Sequence, residues 1–301
     1  MRILIFAANG FIGRELCQYF HAQGQHVTAV SRKIIDLQCS NFILWNAQEI
    51  KQDCLDALEE ADLIINLCGK SVNCRYNAKN KEDILKSRTE TTQLIGQALS
   101  KCSVKERLWL NASTATIYQE SFDHYNDDST GQIGEGFSVE IAKAWEESFF
   151  KFKLPNCRQI ALRSAIVIGK DCDFINITRS LIKKGLGGKQ GNGKQFISWV
   201  HVHDLCEAIQ VFIENKELDG PINIAAPEAI QNKDFMSLTR KTLKIKLALP
   251  APKLLIQIGA FFIRTEAELP LKSRKVKASK LQELGFTYKY PDIQSCLKNV
   301  L

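Results

Sequence analysis

The sequence lacks any long apolar run. No stretch approaches the roughly 20 apolar residues of a membrane-spanning helix, and the first residues, MRILIFAANG, show no basic leader followed by an apolar stretch and a cleavage site. Neither a span nor a secretory signal is expected. It also lacks any CxxC pair: its ten cysteines stand at 17, 39, 54, 68, 74, 102, 157, 172, 206 and 296. Most lie inside apolar runs, as buried thiols do, so a reducing, cytoplasmic setting is expected. There is no tract of like charge. The formal charge is +7, but the lysines are spread along the chain, and no nucleic-acid recognition motif accompanies them. Neither a nucleic-acid nor a membrane partner is expected. No repeat or low-complexity linker divides the chain.

What is present is an ordinary globular composition, 45% hydrophobic and 24% charged over 301 residues, enough to bury a large core. Through residue 169 short apolar runs alternate with amphipathic stretches. ILIF (3–6), HVTAV (26–30), NFILW (41–45), DLIINLC (62–68), RLWLNAS (107–113) and CRQIALRSAIVIG (157–169) read as strands, and the segments between them space apolar residues as helices do. This alternation predicts an α/β fold with a doubly wound parallel sheet. After residue 169 the rhythm breaks. A glycine-rich stretch, GLGGKQGNGKQ (185–195), leads to FISWVHVHDLCEAIQVFIE, then to one more strand at INIAA (222–226). From Pro250 onward, helix-like segments, LLIQIGAFFI and SRKVKASKLQELG, stand among prolines.

Residues 6–13, FAANGFIG, read like a dinucleotide-binding loop with alanine in the first glycine place. Such loops use glycine for a tight turn, for close approach of backbone N–H groups to pyrophosphate, and for close packing of helix on strand. Gly10 and Gly13 hold the second and third places. Ala7 holds the first, and is expected at negative φ, where its Cβ is tolerated. The helix that follows offers the N-terminal dipole and N–H groups that an anion needs. About 20 residues further on, an NAD site places an acid for the ribose hydroxyls. Here that place reads Ser31, Arg32, Lys33, and Asp36 comes too late. A hydroxyl and a guanidinium suit a 2′-phosphate, so NADP (as NADPH) is the expected cofactor.

The motifs NGFIG, SRK, INLCG (65–69), SRTETTQL (87–94), STATIY (113–118), AKAWEE (142–147), LRSAIVIG (162–169), GLGG (185–188) and GNGKQFISWVHVHDL (191–205) follow one another in an order that resembles the extended short-chain dehydrogenase/reductase superfamily. Within it the chain is most similar to the epimerase-family, or sugar-nucleotide-epimerase-like, branch with a C-terminal extension. The resemblance covers essentially the whole chain. It implies an NADP-binding Rossmann domain over 1–169, with segments near 196–225 returning to it, and a smaller α+β substrate domain with the extension over 170–301. Carried over position by position, the cofactor contacts would be Asn9, Gly10, Phe11, Ile12 and Gly13 in the loop, Ser31 and Arg32, then Leu67, Cys68 and Gly69, Arg88 with Asp83 joining it, and Val167. Dimerisation through helices is common in the superfamily and leaves a homodimer open.

The superfamily's usual proton relay is a Ser or Thr with a Tyr-x-x-x-Lys pair one helical turn apart, the lysine lowering the tyrosine pKa while hydride moves at the nicotinamide. The hydroxyl is present as Ser113 or Thr114, and the motif fits either. The pair is absent: none of the tyrosines (19, 76, 118, 125, 288, 290) has lysine four residues on. Phe137 and Ile141 stand where the resemblance places Tyr and Lys. Substitutes are Tyr118, after the fifth strand, and Glu140, which matches an acid common in the branch and lies one helical face-step from Lys143. Trp145 continues a Phe137, Ile141 stripe that reads as core. Ile197 stands where sugar-nucleotide enzymes carry an arginine on the diphosphate, leaving Lys194 and Lys189 as nearby charge. His201 is expected to line or support the substrate pocket and Asp204 to cap the following helix. The histidines at 201 and 203 with Asp204 supply too few ligands, and no metal is expected.

Three functions are consistent with these residues. The first is an NADP-binding epimerase, dehydratase or reductase acting on a small polar substrate through a nonstandard proton donor. The second is a non-catalytic NADP-binding regulatory or sensor protein, and the third is a sugar-nucleotide epimerase.

Overall fold

The computed structural model describes residues 1–262, 266 and 268–301. Its centre is a sheet of seven parallel strands: β1 (Arg2–Phe6), β2 (His26–Ser31), β3 (Asn41–Leu44), β4 (Leu63–Asn66), β5 (Arg107–Thr114), β6 (Cys157–Ser164) and β10 (Gly220–Ile224). They lie in the order β10-β6-β5-β4-β1-β2-β3. β1 and β4 are therefore neighbours although β2 and β3 separate them in sequence, which makes their C-terminal edge the topological switch point where α/β sheets bind ligands. Both faces are covered, so strands such as RILIF and LIIN carry apolar residues throughout instead of alternating. Helices α1 (Phe11–Ala22) and α6 (Val202–Glu214) lie over one face. Helices α2 (Gln52–Glu60), α3 (Ala78–Leu99) and α4 (Phe137–Phe150) lie over the other.

The run 157–169 reads as one strand in sequence but is not one in structure. It breaks at Ala165, whose N–H bonds Ile224 O at 2.9 Å, while Ile166 N turns to Ser198 O at 3.1 Å. The remainder, β7 (Ile166–Ile168), pairs with β9 (Trp199–His201) in a separate ribbon. β8 (Phe196–Ile197) pairs with β11 (Ile230–Gln231). Around these ribbons pack α5 (Asp173–Lys183), α7 (Asn232–Thr242) and α11 (Ile293–Val300), which share a core with Trp199, Phe235 and Leu297.

Three further helices complete the extension: α8 (Lys253–Phe262), α9 (Glu268–Leu271) and α10 (Ser279–Glu283). Ile263, the end of the helix expected over LLIQIGAFFI, lies outside the described residues. Only the second half of SRKVKASKLQELG is helical. Its first half is extended because its backbone is used elsewhere: Arg274 N bonds Phe196 O at 2.8 Å, and Lys275 O and Lys277 N both bond the backbone of Asn126. All ten cysteines are free thiols. Among the described residues no helix is long and apolar enough to cross a membrane.

Candidate functional site

The loop after β1 turns tightly at Ala7, whose O accepts from Gly10 N at 3.0 Å while Ala8 N bonds Val30 O at 3.1 Å. The expected negative φ at Ala7 is corrected: φ is +57°, the left-handed region, which costs an alanine on the order of 1 kcal/mol. The turn geometry is thus that of a glycine, kept without one. Gly10 is extended, caps α1 and supplies no side-chain acceptor to its first N–H groups. Gly13 cannot be replaced, because a Cβ there would lie 2.7 Å from both Ala7 O and Ala8 Cα. Phe11 lays its ring on Gly169, where a Cβ would come within 2.5 Å of it. The site's floor at the switch point is therefore bare backbone, the shape a pyrophosphate requires.

At the end of β2, Ser31 is buried and its hydroxyl is occupied in the turn, donating to Lys33 O at 2.5 Å and accepting from Lys33 N at 3.3 Å. It holds the turn that presents Arg32, an exposed guanidinium in no ion pair among the described residues. Arg32 lies close enough to the segment after β4 for its charge to bear on the Cys68 thiol.

After β4 the chain is fixed by Asn66, which sequence reasoning missed. Its amide donates to Asn111 Oδ1 at 2.7 Å and Thr92 Oγ1 at 3.1 Å, and its Oδ1 accepts from Cys68 N at 3.0 Å. Three polar residues, buried and mutually satisfied, thereby set the path of Leu67, Cys68 and Gly69. Arg88 of α3 lies across Gly69, with Cζ 3.1 Å and Nη2 3.2 Å from the place of a Cβ. Its Nη1 donates to Lys70 O and Ile84 O, both at 3.0 Å, and its guanidinium sits 5.0 Å over the Trp145 ring. Asp83 does not join it: that carboxylate pairs with Lys70 at 2.8 Å, and the ammonium holds its pKa below the usual range. Arg88 has no acidic partner among the described residues, and burial pulls its pKa down to about 10. A desolvated cation without a counter-charge, beside a bare glycine, is a place for an anion.

The structure separates the two candidate hydroxyls of β5. Ser113 is buried and donates to Glu146 Oε1 at 2.6 Å, whereas Thr114 is partly exposed and bonds Thr116 Oγ1 at 3.0 Å and Thr116 N at 3.1 Å. Thr114 is the less buried of the two. Glu146, also missed from sequence, is gripped by Arg163, Nε to Oε1 at 2.8 Å and Nη2 to Oε2 at 2.7 Å. Arg163 Nη1 then donates to the Tyr118 phenol at 3.0 Å, and that phenol donates to Asn223 Oδ1 at 2.8 Å. Tyr118 is 1% exposed, and burial raises its pKa. It stitches β5 to β6 and β10, and its candidacy as proton donor is corrected accordingly. Glu140 is exposed on the first turn of α4 and makes no ion pair with Lys143 among the described residues.

Where the usual tyrosine would stand, Phe137 packs edge-on against Tyr76 at 4.8 Å between ring centroids. Tyr76, on the connection from β4 to α3, lies near enough to Arg88 to raise its pKa, against the larger effect of burial. Ile141 is buried. Trp145 is core as expected, but it also forms the platform under Arg88.

Two further expectations are corrected. His201 does not line a pocket: Nδ1 accepts from His203 N at 3.1 Å, capping α6, Nε2 bonds Asn299 Oδ1 at 3.1 Å, and the ring stacks on Tyr290 at 3.8 Å. Burial holds its pKa down to about 4. Asp204 does not cap α6. Its carboxylate accepts Lys289 N at 2.8 Å and Tyr290 N at 3.1 Å, anchoring the extension. Val167 is half-buried in β7 opposite Val200, and Lys194 is exposed on the glycine-rich turn. Among the described residues no cluster of His, Cys, Asp or Glu could hold a metal.

A sheet with this switch point, a glycine-floored loop and unpaired cations defines a nucleotide-binding α/β protein, and the chain belongs to the NAD dependent epimerase/dehydratase family, which matches residues 3–225. Residues 251–300 match a domain of unknown function, DUF1731. Among its relatives, the human epimerase family protein SDR39U1 is 30% identical over 307 residues, with both chains covered in full. Bacillus subtilis YfhF is 26% identical over 306 residues, covering 100% of this chain and 98% of the relative. In three dimensions the chain is similar to human SDR39U1 (isoform 2) crystallised with NADPH, with a TM-score of 0.85, 28% identity and coverage of 100% and 99%. It shares the fold of MoeE5 in complex with UDP-glucuronic acid and NAD, with a TM-score of 0.81 at 18% identity and coverage of 99% and 97%.

Proposed function

We propose that this chain binds NADPH and works as an epimerase, dehydratase or reductase on a small polar substrate, without the Tyr-x-x-x-Lys pair. The observation that carries the reading is Arg88, a half-buried guanidinium without an acid among the described residues, lying over Gly69 beside the switch point. Asn9 to Gly13 would hold the pyrophosphate and Arg32 the 2′-phosphate, and the NADPH of the human SDR39U1 structure supports that choice. Bound NADPH supplies a hydride. Thr114 offers a hydroxyl to orient a substrate oxygen. Tyr76 places a second aromatic beside Phe137 at the entrance of the same site. The test is a fluorescence titration with NADPH and NADH, followed by turnover of a metabolite library. NADPH binding at least about tenfold tighter than NADH and cofactor-dependent turnover support the reading; tight binding with no turnover removes the catalytic half.

Phe137 and Ile141 favour a second reading, a non-catalytic sensor of NADPH. Stereospecific exchange of hydride between bound cofactor and any added substrate ends it. Sugar-nucleotide epimerisation is disfavoured by Ile197, an apolar residue in β8 at the place of a diphosphate-binding arginine. A rise in melting temperature with UDP-sugars would reinstate it.

A further inference from the structure

The fold gathers charge that the sequence spreads out. Residues 174–203 and 235–262 contain no Asp or Glu and ten of the 40 Lys and Arg. The rest of the chain has 33 acids against 30 bases, so the net positive charge belongs to these two stretches. They are joined side by side through backbone hydrogen bonds: Leu249 N to Gly185 O at 2.7 Å, Gly188 N to Leu249 O at 3.0 Å, Ala251 N to Lys189 O at 3.0 Å, and Gly191 N to Ala251 O at 2.8 Å. Gly188 allows the approach, since a Cβ there would stand 2.5 Å from Leu249 O.

On this seam the apolar residues face outward. Leu186, Leu247, Leu249, Leu254 and Leu255 are between 43% and 85% exposed, a third of the large exposed hydrophobics among the described residues gathered around one short segment. Around them Lys183, Lys184, Lys189, Lys246 and Lys253 are exposed and in no ion pair among the described residues. Leucines ringed by unneutralised lysines, with no acid in either stretch, match an interface that is apolar just beneath an anionic surface. We propose that this face docks on a bilayer containing anionic lipid, the leucines entering the acyl boundary and the lysines meeting headgroup phosphates. A second copy of the chain fits poorly, because joining two such faces would set lysines against lysines. Nucleic acid fits poorly as well, because the leucines would meet a hydrated phosphate backbone. The absence of a membrane span does not bear on surface docking, and the inference stands apart from the NADPH reading.

The test is flotation of the purified full chain with phosphatidylcholine vesicles, with and without about 30% phosphatidylserine. Binding is expected only with phosphatidylserine, and is expected to be largely released by about 0.5 M NaCl, which screens the lysines. The variants Leu254→Glu/Leu255→Glu and Lys183→Glu/Lys184→Glu should each weaken the apparent affinity by about tenfold or more with unchanged melting temperature. Equal recovery with neutral vesicles, or no binding to either kind, overturns the proposal. So does a wild-type dimer in sedimentation that the leucine variant returns to monomer without any vesicle binding, and so does binding of a short RNA duplex that is as tight as binding to vesicles.

Discussion

Arg163 and Glu146 meet through two parallel hydrogen bonds of 2.8 and 2.7 Å in the interior between β6 and α4. The pair also orders Ser113 below and Tyr118 above. Removing one partner leaves the other charge buried and unpaired, so Glu146→Ala is expected to cost about 3–5 kcal/mol. The double variant Glu146→Leu/Arg163→Met should recover part of that. Urea denaturation of the three proteins checks both statements; an additive double variant would mean that the two residues do not act as a pair.

Ala7 sits in a left-handed turn that glycine adopts without strain. Ala7→Gly is expected to stabilise the protein by up to about 1 kcal/mol, the relief of strain offset in part by the extra freedom of the unfolded chain. NADPH affinity should hold or improve. Gly13→Ala, meeting backbone at 2.7 Å, should lose both stability and binding.

Gly69→Ala pushes against the Arg88 guanidinium, whose Nη2 lies 3.2 Å from the new Cβ. With Arg88 central to anion binding, the variant should weaken NADPH by about three- to tenfold, roughly 1 kcal/mol, with little change in melting temperature. Arg88→Ala should weaken it further, and isothermal titration distinguishes the two.

His201 gives the fold a pH dependence of definite sign. Its pKa falls from 6.5 to about 4 on folding, so the unfolded chain takes up this proton first on acidification. The contribution is complete above the unfolded value of 6.5, and is lost as pH drops through about 4, amounting to about 3 kcal/mol at most. His201→Gln keeps a hydrogen-bonding side chain without the titration. The stability difference between wild type and variant should therefore shift toward the variant between pH 7.5 and 4.5, and parallel denaturation curves at both pH values would contradict this.

The missing pair cannot simply be written back. Phe137→Tyr is expected to be tolerated, because the ring is partly exposed and packs on Tyr76. Ile141→Lys would place a cation at a buried position, and should cost about 3 kcal/mol or more. Thermal melts of the single and double variants check this.

The sheet was legible because each strand is centred on a short apolar run and each helix carries its own period, both local properties. The site's glycines and Arg32 were legible for the same reason. The break at Ala165 was not, since no glycine or proline marks it in ALRSAIVI and only its neighbours, Ile224 and Ser198, divide the run. Glu146 was hidden beside the exposed Glu147: one helical step of 100° separates interior from water, and only Arg163, on another strand, makes the buried carboxylate tolerable. His201 and Asp204 were misread because their partners, Asn299 and residues 289–290, lie more than 80 residues away.

Those last contacts have a consequence for how the protein is made. α6 lies across the central sheet, yet its capping residue His201 donates from Nε2 to Asn299 Oδ1, 98 residues further along the chain. A nascent chain can close its parallel sheet once β10 has emerged, but His201 and Asp204 wait for the final segment. Until then Asp204 lacks the two backbone N–H groups it accepts, and His201 keeps only the bond from His203 N. Residues 289–299 thus fasten the start of α6 after the sheet it covers has been assembled.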